Sequence, residues 1–238
     1  MDNARATFAE FLGTFTLVFI GAGTGALAAT SGVGTVGVAL AHGLALLVII
    51  YAFGSISGAH VNPAVTFGVV LAGRMEWGKA VLYWAAQFAG AIAAAYLLKY
   101  LIVPNGDLGA TIGSLTPRGG VQGDAMKVVI IEAILTFFLV VAVFASGVQG
   151  RNGNMAGIAI GMVLTMDILA FGALTGASMN PARTFGPALA MRDMSYFWMY
   201  FVGPMLGGAV GALLYDRTFL PAHLKPPVSA ANDRGRNR

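Results

Sequence analysis

Two stretches of the chain place the same polar signature in apolar surroundings: residues 57–68 read SGAHVNPAVTFG and residues 175–189 read TGASMNPARTFGPAL, with Asn62 and Asn180 118 residues apart. Average residue usage puts two Asn-Pro-Ala tripeptides in matching contexts at on the order of once in a thousand chains, so the repeat needs a cause. Each copy spells a helix start. Asn62 and Asn180 are strong N-caps, Pro63 and Pro181 suit the first helical position, and Ala64 and Ala182 continue the turn. An Asn amide keeps N–H donors to offer, and the helix behind it adds a positive end. Two such ends facing one another would turn the oxygen of a passing water toward themselves and repel a cation or hydronium. That chemistry is recognition of a small neutral dipole.

Arg183 stands one turn into the second of these apolar segments, where a buried charge costs several kcal/mol unless carbonyls or water satisfy it, and it reads as pore-lining. His42, the sole ionisable group of ALAHGLALLVII, is a pore candidate against the simpler reading of a satisfied helix contact. Glu10 and Glu132 occupy matching apolar positions. They are either a proton or ion relay or, the reading preferred, acceptors that hold the N–H groups of buried loops, with Gln87 and His60 bracing the same loops. Asp167 reads as either a pore-mouth group or an interhelical hydrogen-bond partner. No phosphate loop, metal-spaced His cluster or nucleophile–base arrangement occurs, so no cofactor and no metal is expected and an enzyme is disfavoured. The absence of Cys removes disulfides and thiolate sites.

The elements that must position these groups are membrane helices. Of 238 residues 57% are hydrophobic and 10% charged, far below the roughly 25% charged fraction of soluble domains. Six apolar runs are long enough to cross a bilayer, near 8–29, 36–55, 80–102, 127–148, 155–174 and 195–216. The first is expected to stay in the mature chain, because it carries Glu10, outruns a signal h-region and has no basic segment ahead. AEFLGTFTLVF (9–19) is echoed by IEAILTFFLVVAVF (131–144), and YWAAQFAGAIAAAYLL (83–98) by YFVGPMLGGAVGALLY (200–215). Each half therefore holds three spans with a motif between the second and third, and an odd number makes the repeat inverted. The segments after the two motifs are too short to span, which predicts two re-entrant half-helices meeting near the midplane, their loop carbonyls lining an aqueous path.

The expected architecture is an all-α membrane protein of six transmembrane helices plus two half-helices in an inverted three-plus-three repeat. A single channel domain covers 1–238, with repeats over about 7–103 and 127–216 and a tail over 217–238. Arg5, Arg74, Lys79, Arg151, Arg217, Lys225, Arg234, Arg236 and Arg238 fall on the side of the termini, against Lys99, Arg118, Lys127 and Arg192 opposite, which puts the termini in the cytoplasm. The basic tail reads as solvated chain near anionic lipid, and nucleic-acid binding is not indicated.

In these motifs and their order, together with AAQFAGA and YFVGPMLGG, the chain is similar to the aquaporin (major intrinsic protein) family over essentially residues 7–216. The resemblance implies a right-handed bundle, a homotetramer with one pore per subunit, and a bacterial-type water channel in the inner (plasma) membrane. It implies a central constriction at the two Asn-Pro-Ala motifs and an outer filter of His42, Ile168, Ala177 and Arg183. That quartet departs from the Phe/His/Arg set of strict water channels and resembles plant tonoplast members, many of which also pass ammonia, urea or peroxide. Thr184 stands where glycerol facilitators usually carry Asp, and Ala188, Tyr200 and Phe201 are nearer to water channels. The function expected is a passive channel for water and small neutral solutes that excludes protons and ions. The alternatives are an ammonia, urea or glycerol facilitator, or a proton-coupled transporter using Glu10, Glu132 or Asp167.

Overall fold

A computed structural model describes residues 3–102, 107–150 and 152–224. Of the basic residues used to orient the chain, Arg151, Lys225, Arg234, Arg236 and Arg238 lie outside the described residues, as does the tail from 225 onward. Among the described residues eight α-helices run in the order α1 (Asn3–Ser31), α2 (Gly34–Ser57), α3 (Pro63–Leu71), α4 (Trp77–Leu101), α5 (Ala125–Ala142), α6 (Ala156–Thr175), α7 (Pro181–Met191) and α8 (Phe197–Leu214). Six are long and apolar enough to cross a bilayer, α5 and α8 being extended by π-helical turns at Val143–Val148 and Tyr215–Phe219. The other two, α3 and α7, are the short helices directly after the repeated motifs. Both begin at the residues the capping chemistry requires, Asn62 and Asn180 at the N-cap with Pro next. Among the described residues no strand forms, and one isolated bridge pairs Arg118 with Val121.

The two repeats interlock. Helix α1 packs on α2 and α4, α5 on α6 and α8, and α2 crosses the divide to pack on α6. Each short helix lies against the third span of the opposite repeat, α3 on α8 and α7 on α4. These approaches are close because glycine sits at the crossings. A methyl group at Gly208 would stand 2.7 Å from the carbonyl oxygen of Ala64 in α3, and one at Gly203 2.7 Å from that of Val129 in α5. With hydrocarbon outside, van der Waals contact and small residues must hold the bundle, since burying a leucine gains little over leaving it in lipid. Large apolar side chains accordingly face outward, Leu44, Val48, Val81, Ile134, Leu206 and Val210 among them, and Trp77, Tyr100 and Trp198 are exposed near helix ends where aromatic anchors belong.

Both second spans stop at glycine in the left-handed conformation, Gly58 (φ 91°) and Gly176 (φ 85°), which turns the chain back into the bundle. Beyond each glycine the chain forms a non-helical loop and then a short helix, the inverted arrangement expected from the motif spacing. Taking the side where α1 begins and α8 ends as the inner side, the first loop enters from the inner side and the second from the outer.

Substitution of Gly208 by Val should force α3 away from α8. We expect a loss of about 1–3 kcal/mol, the usual cost of overpacking, read as a lower midpoint in thermal unfolding of the detergent-solubilised protein. Valine at exposed Gly78, which meets nothing within 4 Å, serves as the control.

Candidate functional site

The two loops meet at their Asn residues through a reciprocal exchange. Asn62 accepts from the backbone N–H of Ala64 (2.9 Å) and donates its amide N–H to the Met179 carbonyl (2.8 Å). Asn180 accepts from Ala182 and Arg183 (3.0 and 3.2 Å) and donates to the Val61 carbonyl (2.8 Å). Each Asn thus caps its own helix and ties itself to the other loop. One N–H of each amide remains free, as do the converging positive ends of α3 and α7.

Such contact requires unusual backbone. Ala59 and Val61 in the first loop and Ala177 and Met179 in the second have φ between 42° and 54°. Left-handed conformations at residues with side chains cost of order 1–3 kcal/mol each and persist where surroundings over-determine them. The surroundings here are carboxylates. Glu10, fully buried, accepts from Ser57 Oγ (2.6 Å), His60 N (2.9 Å), Val61 N (2.6 Å) and Gln87 Nε2 (2.8 Å). Glu132, also fully buried, accepts from Thr175 Oγ1 (2.8 Å), Ser178 N (3.0 Å) and Met179 N (2.8 Å). Gln87 also donates to Thr66 Oγ1 (3.0 Å), which lies 3.1 Å from His60 Nδ1. Tyr83 and Tyr200 add their hydroxyls, donated to the carbonyls of Ser57 and Thr175.

Arg183 is 5% exposed and is held from two sides, donating to the Gly109 carbonyl (2.7 Å) and lying 3.1 Å from His42 Nε2. His42 Nδ1 is 2.8 Å from the Val38 carbonyl, which can only accept, so Nδ1 carries the proton and Nε2 accepts from the guanidinium. A cavity of about 480 Å³ runs from His42, Arg183 and the two Asn residues past Ala59, His60 and Val61 toward the inner side. A second, of about 370 Å³, opens outward and is lined by Ile168, Asp107, Gly109 and Arg183. Arg183 is the residue common to both, so it stands where they abut.

The expected filter residues are therefore placed unequally. His42 and Arg183 touch one another, Ile168 lines the outer cavity, and Ala177 is packed in the core at 2% exposure and lines neither. Asp167 fits neither of its two sequence readings well. It is 1% exposed, lines neither of these cavities, and its Oδ2 has no hydrogen-bond partner.

Several contributors escaped the sequence. Gly109 belongs to a segment, 107–124, that folds back onto the bundle: Ser114 and Leu115 bond to the carbonyls of Ala173 and Leu174, and Thr111 Oγ1 lies 2.7 Å from Thr184 Oγ1. Its only signal was glycine itself, needed because φ is 63° and a Cβ would enter the main chain of Ala22. The carbonyls of Val61 and Met179 could not be foreseen, since no side-chain type marks an exposed carbonyl.

A capped pair of half-helices is joined through their Asn residues, each loop held by a buried Glu, and comparison with known proteins places the chain in a family. The sequence model of the family described as Major intrinsic protein matches residues 1–215. The chain belongs to that family. It is 41% identical to aquaporin TIP1-2 of Zea mays across 97% of this chain and 93% of that one, and 40% identical to aquaporin TIP2-1 of Arabidopsis thaliana across 98% and 94%. The X-ray structure of the aquaglyceroporin from Plasmodium falciparum superposes with a TM-score of 0.79 at 25% identity, covering 91% of this chain and 97% of that chain. Membership in this family and six apolar spans make the chain an integral membrane protein.

Replacing Glu132 by Gln puts an amide donor where three donors already converge on the carboxylate. A buried donor left without an acceptor costs about 1–3 kcal/mol, so the yield of folded protein on size-exclusion chromatography should fall well below that of the parent. The fraction that folds should keep its solute preference.

Proposed function

We propose that the chain is a passive channel for water and small neutral solutes that excludes ions and protons. The observation that carries this reading is the reciprocal bonding of Asn62 and Asn180 at the meeting point of two helix N-termini. Each amide retains a donor for the oxygen of a passing water, and the two positive ends oppose a cation arriving from either side. Asn62, Pro63, Ala64 and Asn180, Pro181, Ala182 form the central constriction in this reading. The names of the relatives, aquaporins of the TIP type and an aquaglyceroporin, support the same class of substrate.

The outer filter is assigned to His42, Ile168, Ala177 and Arg183. Support comes from the guanidinium at the junction of the two cavities with His42 against it. Ile168 gives one wall an apolar surface, which lowers the penalty for a solute that cannot hydrogen-bond on all sides, and ammonia is close to water in size. The bracing role of Glu10, Glu132, Gln87 and His60 is supported by the bonds that Glu10 and Glu132 accept from the loops, with Gln87 joining Glu10 to Thr66 and the His60 ring lying against Thr66. With four donors on Glu10 and three on Glu132, most of the acceptor capacity of these acids is committed to holding the loops, which favours a channel over a coupled transporter and over any enzymatic role.

The orientation is inferred from the basic residues, with both termini in the cytoplasm. Plant TIP relatives lend no support to a bacterial plasma membrane in particular, and the same orientation serves any membrane that faces the cytoplasm. The homotetramer remains the proposed assembly, set in lipid, with no cofactor, metal or nucleic acid.

Stopped-flow light scattering on proteoliposomes tests the reading. Water flux should rise severalfold over protein-free vesicles while a pH-sensitive dye inside reports no added proton leak; a leak scaling with protein would refute it. Ammonia should pass measurably and glycerol slowly or not at all. The double substitution His42→Phe with Ile168→His should keep water flux and lower the ammonia-to-water ratio severalfold; an unchanged ratio would remove these two residues from the filter.

A further inference from the structure

The large cavity carries a fixed positive charge at each end. Arg183 stands at its outer end, and Arg74, at the turn that ends α3, lines its inner end. Gly73 makes that turn with φ 71°, and the backbone N–H of Arg74 donates to the Val69 carbonyl. The side chain is then gripped from outside the cavity wall. Its Nε lies 2.8 Å and its NH2 nitrogen 2.7 Å from Asp216 Oδ1, and the NH2 nitrogen also donates to the Leu224 carbonyl at 2.9 Å.

Asp216 lies in the π-helical turn that extends α8, and this turn is itself anchored. The Tyr215 hydroxyl donates to Gln149 at 2.8 Å, and the Tyr215 ring packs on Phe144, which sits in the π-helical turn extending α5. Val143, Ser146 and Val148 of that second turn line the inner end of the same cavity. A π turn inserts a residue into the helical register; the one extending α8 carries both Tyr215 and Asp216, and it packs on the one extending α5, which lines the cavity. The Arg74 and Asp216 side chains are only 15% and 12% exposed, so the pair is shielded from the screening that makes surface ion pairs weak.

Resting on the channel reading above, we propose that Asp216 is a positioning residue for permeation: it draws the Arg74 guanidinium against the wall and keeps the inner mouth clear. Without the carboxylate the guanidinium keeps the Leu224 carbonyl as an acceptor but has lost its anionic partner. A long, flexible cation then swings into the opening, narrowing it and holding water there. Asp216 touches no solute and lines no part of the cavity; it acts through Arg74.

The test is water permeability per reconstituted channel for the parent, Asp216→Asn, Asp216→Glu, Arg74→Gln and the double variant Arg74→Gln with Asp216→Asn. Asp216→Asn should lower permeability severalfold, Asp216→Glu should keep most of it by retaining the pair, and the double variant should regain the parent value because no cation remains to intrude. The idea is overturned if Asp216→Asn conducts at or above the parent level, or if the double variant stays as slow as Asp216→Asn, which would mark a purely structural role. Should Asp216→Asn fail to assemble, Arg74→Gln alone decides: it should conduct at or above the parent, and a drop would overturn the proposal. A parent that passes no water would instead sink the channel reading itself.

Discussion

Backbone polar groups inside hydrocarbon must be satisfied by the protein, and the distinctive features of this fold arise from that constraint. Two loops run into the bundle without helical bonds of their own. Their N–H groups are collected by Glu10 and Glu132, while two carbonyls, of Val61 and Met179, accept from the Asn of the opposite loop. The loops can hold four left-handed residues with side chains only because these bonds over-determine the path. A carboxylate carrying three or four hydrogen bonds is the compensation that lets an acid stay inside a membrane.

The two repeats share this plan and depart from it where a channel needs direction. Gln87 of α4 fills the fourth acceptor site of Glu10, whereas the matching stretch of α8 carries Pro204, which cannot donate, and Glu132 accepts three bonds. Val65 stands third after Asn62 where Arg183 stands third after Asn180, so the guanidinium breaks the symmetry at one end of the cavity. Arg183 is tolerated because two independent acceptors, a carbonyl of the 107–124 segment and the unprotonated nitrogen of His42, meet it. At the other end Arg74 is balanced by a full carboxylate from the π-helical turn that extends α8.

Packing explains why these positions are rigid. Each half-helix lies on the third span of the opposite repeat, at glycines close enough for main-chain contact. Displacing a half-helix therefore disturbs both repeats, and the Asn pair at its tip inherits the precision of the whole bundle.

Much of this was legible in the residues. Six apolar runs, an odd number of spans per repeat and two Asn-Pro-Ala starts determine the inverted arrangement, because hydrocarbon thickness fixes helix length and capping chemistry fixes where a helix begins. The matching positions of Glu10 and Glu132 pointed to the loops for the same reason: an acid in hydrocarbon must have partners. Tertiary structure alone decided which carbonyls the Asn and Arg side chains reach, since a carbonyl carries no signature in residue type. It also decided that Ala177 packs into the core, that Asp167 Oδ2 stays unpartnered, that 107–124 folds back to hold Arg183, and that Arg74 meets Asp216 across 142 positions of sequence. Local spacing governs what a helix does with its own neighbours; which distant groups meet depends on where every other helix has come to rest.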